Sequence, residues 1–291
     1  NYLLQQLESG KNTSITIDMG GASTELAVEL QTDNQIEHSY SIQIGRKTIN
    51  LFTYSYSSYG SDTANSAVDD YFFNIHNSSD LIRNPCYFNN YTKTYRNRPF
   101  IGTGNLLECS NGIQKVLLDN SNFTDVSIPS LDSFQKVYAI STFSYVRSFL
   151  NLSTQLQLSD IKAAFQKLEK KTIDEINDIY KDSGIPQKFL PGYFWQVSYI
   201  LTFLEKGLNL TDVHHTYVMP TTIDGNDISW ALGAMITQVY DIQIRDKSKP
   251  YLTTLLIING VLFVGVLVVF VLYITKKTKH HPNETIPLIA L

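Results

Sequence analysis

Charge of one sign is what this chain most lacks. Its 23 Lys and Arg face 27 Asp and Glu, a formal charge of −4, so no basic footprint for nucleic acid exists. No Gly-x-Gly-x-x-Gly opens a helix after a strand, which excludes a dinucleotide-binding reading. No segment repeats. Cysteine is confined to Cys86 and Cys109, enough for one bridge. No initiator Met stands at Asn1 and no signal sequence follows, so the chain is expected to be a C-terminal portion of something longer. Apolar residues are plentiful: 43% hydrophobic and 12% aromatic content over 291 residues supports a real core, beyond one average domain in size.

The most informative stretch is Thr16-Ile17-Asp18-Met19-Gly20-Gly21-Ala22-Ser23-Thr24-Glu25-Leu26-Ala27-Val28. Alternating, β-branched residues on both sides of a Gly-Gly pair predict a hairpin. Its turn would present consecutive backbone N–H groups to an anion, and glycine lets phosphate oxygens approach closely. Asp18 at the strand end is placed to hold a metal or its water, and Glu25 points into the same mouth as a candidate base. An ordinary glycine hairpin with polar trim is the plainer alternative.

One long apolar run is present. Tyr251 to Thr275 carries no ionisable side chain except tyrosine. At ~1.5 Å per residue it reaches roughly 37 Å, enough for a ~30 Å hydrocarbon core. Lys276, Lys277 and Lys279 follow, which puts the C-terminus in the cytosol and the body in a lumen or outside the cell. Asn259 within the run reads either as a bond to a neighbouring helix or as a tolerated polar residue. Acceptor patterns for N-glycosylation at Asn12, Asn77, Asn90, Asn122, Asn151 and Asn209 lie on the non-cytosolic side. Oxidising surroundings there favour a Cys86–Cys109 disulfide, worth about 3 kcal/mol in the chain-entropy model.

Period-two alternation from Ile15 to Ile44 predicts a hairpin and a third strand, followed by a Tyr/Ser-rich segment ending at Gly60. Asn74 to Pro99 reads as loop, and Phe100 to Asn105 as a strand entering a glycine turn. Helices are expected over Val137–Leu150, from a cap at Ser159 to Gly184, over Tyr193–Leu204 and over Ile228–Ile242. Arg245 to Pro250 reads as a stalk. His214-His215 reads as loop, because adjacent histidines cannot share one helix face. The class is α/β.

The segment Ile17 to Thr24 resembles the fourth conserved region of the apyrases, the nucleoside triphosphate diphosphohydrolases. Further likenesses follow in the family's order: Asn1 to Leu4, Leu51 to Tyr56 with Tyr59-Gly60-Ser61-Asp62, Asn84-Pro85-Cys86, Gly102 to Asn105 with Cys109, Ala139 to Leu150, Tyr199 to Leu201, and Ser229 to Met235. The resemblance implies a ribonuclease-H-like lobe of the actin–heat-shock-kinase superfamily with added helices, followed by one transmembrane helix. Residues 1–244 would be the second lobe, 245–250 the stalk, 251–275 the membrane helix and 276–291 a cytosolic tail. The family's first phosphate loop and principal catalytic glutamate are absent, so the fragment alone is expected to be inactive.

By the same resemblance, Asp18 would bind Ca²⁺ or Mg²⁺ through water. Gly20, Gly21 and Ala22 would bind the terminal phosphate, Ser23 would also position the attacking water, and Asp62 would lie near the ribose. Tyr199 would stack on the base, although a core aromatic fits it equally. Glu25 replaces the family's glutamine and resembles the exopolyphosphatase and guanosine-pentaphosphate phosphatase pattern, which keeps that activity as an alternative. A non-catalytic membrane glycoprotein retaining the fold is a third reading. Tyr54 stands in place of a family histidine, Phe194 in place of a disulfide cysteine, and Trp230 reads as packing. In the tail, Glu284, Leu288 and Ile289 resemble an acidic dileucine sorting signal. That implies an adaptor partner and an endosomal, lysosomal, vacuolar or Golgi destination, rather than the plasma membrane. Oligomers are compatible with all of this.

Overall fold

The computed structural model describes residues 13–30, 36–44, 47–76, 81–131, 136–228, 231, 233–235, 238 and 251–280. Two compact units divide the chain, Asn1–Ala234 and Met235–Leu291. The first is built on a seven-stranded mixed sheet. Alternation from Ile15 produces β1 (Ile15–Met19) and β2 (Ser23–Glu29), in which Ile15, Ile17, Met19, Leu26 and Val28 point into the core. β3 (Ser39–Ile44) and β4 (Lys47–Ser57) extend the antiparallel half. β8 (Lys136–Ser141) lies parallel to β1, β10 (Thr216–Val218) parallel to β8, and β9 (Gln155–Leu156) closes that edge antiparallel. The order is β3-β4-β2-β1-β8-β10-β9. Between β4 and β8 comes a three-stranded sheet, β5 (Ile82–Asn84), β7 (Arg98–Gly102) and β6 (Thr92–Tyr95), in that spatial order.

Helices cover the core face. α1 (Ser61–Ile75) buries Ala64, Val68 and Phe72. α2 (Leu106–Ile113) runs on into a π turn at Gln114–Leu118, before the short α3 (Ser121–Thr124). α4 (Thr142–Phe149), α5 (Leu158–Gln166) and α6 (Ile173–Tyr180) follow. α7 (Gly192–Thr202) buries Tyr193, Phe194, Trp195, Val197, Tyr199, Ile200 and Leu201; apolar nearly all round, it is the central helix of the core.

Several expectations need correction. Val137–Leu150 is a strand followed by a helix, because Lys136-Val137-Tyr138-Ala139-Ile140 alternates at period two before the helical turn begins at Thr142. The segment read as one helix from Ser159 to Gly184 is two. Gln157 and Asp160 form the capping box that starts α5, with Ser159 already inside, and Thr172 with Glu175 forms the box that starts α6. The stretch from Asn74 to Pro99 is not all loop, since β5 and β6 lie within it. α1 is an element the alternation gave no hint of, being a Ser/Asn/Asp-rich helix. The expected helix over Ile228–Ile242 falls largely outside the described residues.

Cys86 and Cys109 are bonded, with Cα atoms 4.9 Å apart, fastening the turn after β5 to α2. The bonded pair is buried. A polar knot lies nearby: the buried carboxylate of Asp69 on α1 accepts from Asn84 Nδ2 (2.7 Å), from the Tyr87 hydroxyl (3.0 Å) and from Lys93 Nζ. Burial raises the pKa of Asp69, against the Lys93 ammonium and its hydrogen bonds. His215 is also buried, with one ring nitrogen 3.2 Å from the Thr211 carbonyl and the other 3.1 Å from that of Leu131, a packing role rather than a ligand's.

The second unit contains α8 (Tyr251–His280), a single long helix. Among the described residues no helix is long and apolar enough to cross a membrane. Leu262, Phe263, Val264 and 266–274 are all exposed. Glu284, Leu288 and Ile289 lie outside the described residues, as do Asn12, Asn77 and Trp230.

Candidate active site

The expected hairpin forms: Asp18 lies opposite Glu25, and Met19 opposite Thr24. The chain reverses through Gly20, Gly21 and Ala22. The Gly20 N–H donates to the Ser23 carbonyl at 3.0 Å and closes the turn. One expectation is corrected here, since the Gly20 amide is engaged inside the hairpin and is not offered to an anion.

Gly21 and Ala22 differ. The Gly20 carbonyl accepts from the Ser61 N–H at 2.8 Å, and the Gly21 carbonyl from Asp62 and Thr63 N–H at 3.0 and 3.1 Å. Among the described residues all peptide bonds are trans, and in a trans peptide the N–H points opposite to the preceding carbonyl. The two carbonyls face α1, so the Gly21 and Ala22 N–H groups face away from it, at exposed residues. Two consecutive amides therefore point outward from a rigidly backed loop. The same bonds occupy the first-turn donors of α1, so that helix start is consumed in holding the loop. Thr63 Oγ1 adds a bond to the Ala22 carbonyl at 3.0 Å.

Gly60 supplies the backing. A Cβ there would fall 2.5 Å from Ala22 N and from Ala22 C, and closer still to Ser23 N. Beneath it, the Tyr59 carbonyl accepts from Thr24 Oγ1 (2.7 Å) and from the Tyr199 hydroxyl (2.6 Å). Tyr199 is fully buried and stacks on Trp195 with ring centroids 5.0 Å apart. It is therefore a core strut of the Tyr59-Gly60 turn, and the expectation that it stacks on a base is corrected. Burial raises its phenol well above the ordinary range.

The polar face of the sheet carries the acids. Asp18 and Glu25 are direct cross-strand neighbours, and Glu25 lies opposite Ser55 of β4. The Ser55 hydroxyl donates to Glu25 Oε1 at 2.8 Å. Asp18 lies beside Ile140 of β8, and the next residue along, Ser141, donates its Oγ to Asp18 Oδ1 at 2.6 Å. Ser141 has φ 64° and ψ −116°, a conformation suited to glycine that costs an L-residue about 1–3 kcal/mol. Sequence reasoning passed over it, its only signal being a hydroxyl at the junction of a strand and a helix. Among the described residues no group of three or more His, Cys, Asp or Glu side chains is gathered to hold a metal. Asp18, with Glu25 as its cross-strand neighbour and the Ser141 hydroxyl on Oδ1, fits instead a hard cation that keeps most of its waters and shares its remaining ligands with a phosphate.

Asp62 stands at the junction of two features. Its Oδ2 is 2.8 Å from where a Gly21 Cβ would be, so the carboxylate lies directly against the loop. It also lines a cavity of about 630 Å³ with Asn65, Tyr145, Lys188, Phe189 and Tyr193. Tyr145 and Phe189 are more than half exposed there. Asp18, Gly21, Ala22, Ser23 and Glu25 are thus brought to one hairpin, Asp62 adjoins it, and Tyr199 does not.

A mixed α/β sheet with a glycine hairpin at one strand end has a counterpart among solved structures. One of the nucleoside triphosphate hydrolases from Neospora caninum superposes with a TM-score of 0.54 at 11% identity, over 80% of this chain and 58% of that one, a likeness of fold. Residues 1–251 match the GDA1/CD39 (nucleoside phosphatase) family, and the chain belongs to it. Similar relatives are ectonucleoside triphosphate diphosphohydrolase 1 of Bos taurus (23% identical, covering 87% of this chain and 56% of that protein) and nucleoside-diphosphatase mig-23 of Caenorhabditis elegans (26%, 80% and 48%). The chain spans about half the length of these relatives.

Proposed function

We propose that this chain is the ribonuclease-H-like lobe of a nucleoside di- and triphosphate phosphohydrolase and carries one wall of its active site. The observation that supports this most is the outward aim of the Gly21 and Ala22 amides beside the Asp18 carboxylate. Amides cradle the terminal phosphate, Ser23 at the head of β2 orients the attacking water, and Glu25 accepts its proton. Asp18, through water, and the phosphate oxygens would hold Mg²⁺ or Ca²⁺. When bound, that cation supplies charge neutralisation for an in-line displacement. The residues need form no covalent bond with substrate; they position and stabilise charge. The nucleoside lies in the cavity bordered by Asp62, where Tyr145 and Phe189 offer ring faces for a base. Catalysis belongs to the polypeptide in which this lobe meets a second one; alone the lobe is inactive.

In this reading α8 spans a membrane, because the sequence carries no charge from Tyr251 to Thr275 and described apolar side chains of the helix are exposed on every side. The catalytic body is then lumenal or extracellular, and consistent with that are the buried disulfide and the exposed acceptors Asn90, Asn122, Asn151 and Asn209. The tail faces the cytosol, where Glu284, Leu288 and Ile289 engage a sorting adaptor bound for endosome, lysosome, vacuole or Golgi. The decisive assay is phosphate release from ATP, ADP, UDP and polyphosphate by membranes carrying the full-length protein. Metal-dependent release from nucleotides, lost on chelation and in Asp18→Asn, is expected. Release from polyphosphate alone, or activity surviving Asp18→Asn, overturns the assignment.

A further inference from the structure

Among the described residues, Ser141 is the one at the edge of the site whose backbone is strained and whose side chain reaches a proposed functional group. It ends β8 and begins the turn into α4 at φ 64° and ψ −116°. Nearby bonds enforce that conformation. Thr142 Oγ1 donates to the Met19 carbonyl at 2.7 Å, pinning the turn to the end of β1. Ser144 Oγ donates to the Ser141 carbonyl at 2.8 Å, fixing the peptide on the other side. Strand–turn–helix junctions of this kind lift a serine hydroxyl above the end of a sheet. Here the hydroxyl donates to Asp18 Oδ1 at 2.6 Å, across 123 positions of sequence.

We infer that Ser141 is a positioning residue: it holds Asp18 by one carboxylate oxygen so that the other is presented to the hydrated divalent cation. This rests on the proposed role of Asp18. A carboxylate on a free rotor would spread its two oxygens over several rotamers; a charge-assisted bond to Oδ1 removes that freedom and fixes where Oδ2 points. Partners of direct ligands contribute 10- to 100-fold to metal affinity; with Asp18 meeting the cation through water, the low end, about 10-fold, is the expected contribution. Strain at a non-glycine residue persists where surroundings over-determine it, and here the strained residue is the one whose hydroxyl reaches Asp18.

Two substitutions separate position from structure. Ser141→Ala keeps the strained backbone and removes the hydroxyl; Ser141→Gly removes the hydroxyl and relieves the strain. Full-length protein is titrated with Mn²⁺, followed by its electron paramagnetic resonance signal, in the presence of a non-hydrolysable nucleoside triphosphate analogue. Thermal unfolding is recorded alongside. Both variants are expected to bind Mn²⁺ about 10-fold more weakly, while Ser141→Gly unfolds at a higher temperature than Ser141→Ala. Phosphate release should recover at high metal in both. If Ser141→Gly binds Mn²⁺ as wild type does, or binding follows stability across the two variants, the positioning role is overturned. Asp18→Asn is the reference. If it weakens Mn²⁺ binding while both Ser141 variants do not, this inference alone fails. If Asp18→Asn is also without effect, the metal assignment of Asp18 fails with it.

Discussion

Gly60→Ala tests how the phosphate hairpin is held. Gly60 has φ −69° and ψ 159°, extended backbone that any residue adopts, so the requirement is space and not conformation. The new methyl would lie 2.5 Å from Ala22 N and Ala22 C. Relief to ordinary van der Waals contact, at 3.4 Å or more, needs a shift of about 1 Å. That shift stretches the bonds from Ser61, Asp62 and Thr63 N–H to the Gly20 and Gly21 carbonyls, now 2.8, 3.0 and 3.1 Å, past hydrogen-bonding range. Three bonds at about 1 kcal/mol each give roughly 3 kcal/mol, within reach of the 1–3 kcal/mol typical of overpacking once part of the strain relaxes. Tm should drop by about 6–12 °C for a body of this size. Activity should fall further than stability predicts, about 100-fold under conditions where the protein stays folded, because a 1 Å misplacement of binding groups has that effect. Gly192→Ala, at the start of α7 with open space around the added carbon, is the control for stability alone, since Gly192 lines the cavity assigned to the nucleoside; its Tm should be unchanged or slightly raised. Phosphate release and thermal unfolding measured together decide it. Wild-type activity in a folded Gly60→Ala protein would refute the claim that this glycine backs the loop.

Other outcomes follow from the same contacts. Replacing Cys86 and Cys109 together by alanine should lower stability by about 3 kcal/mol, read from urea midpoints, because the bridge closes a 23-residue separation. Lys93→Met should cost about 3 kcal/mol by leaving the Asp69 carboxylate buried without its cation, and adding Asp69→Asn should recover most of the loss. Tyr95 and Tyr180 have phenols pushed up to about 12, first by burial. Their folded pKa exceeds the unfolded value near 10, so the folded state binds more protons above pH ~10. Stability is therefore intact below pH ~10 and is lost as pH rises towards about 12; a stability curve that stays flat while phenolate absorbance grows would contradict this.

What the sequence disclosed and what it hid divide along a physical line. Features written in local spacing were legible: the Asp18-Met19-Gly20-Gly21 turn between alternating runs, the strand into Gly102, the apolar helix around Trp195. The split of Val137–Leu150 was missed because an alternating run of four or five residues cannot outweigh an aromatic-rich helix read across the same window. α1 was missed because Ser61, Asn65 and Asp69 are poor helix formers; tertiary contacts decide there, since Gly20 and Gly21 carbonyls receive its first amides and Asp69 ties it to β5 through Asn84. The residues of the site missed or misjudged have the same cause. Tyr199 carries the same side chain whether it faces a ligand or supports the Tyr59 carbonyl, and only burial separates the two roles. Ser141 meets Asp18 through the parallel pairing of β1 with β8, and no spacing along the chain encodes a register between strands more than a hundred residues apart. A hairpin can be read locally, but the groups that aim it are recruited by the sheet, so the second residue of each functional pair is where sequence reasoning stops.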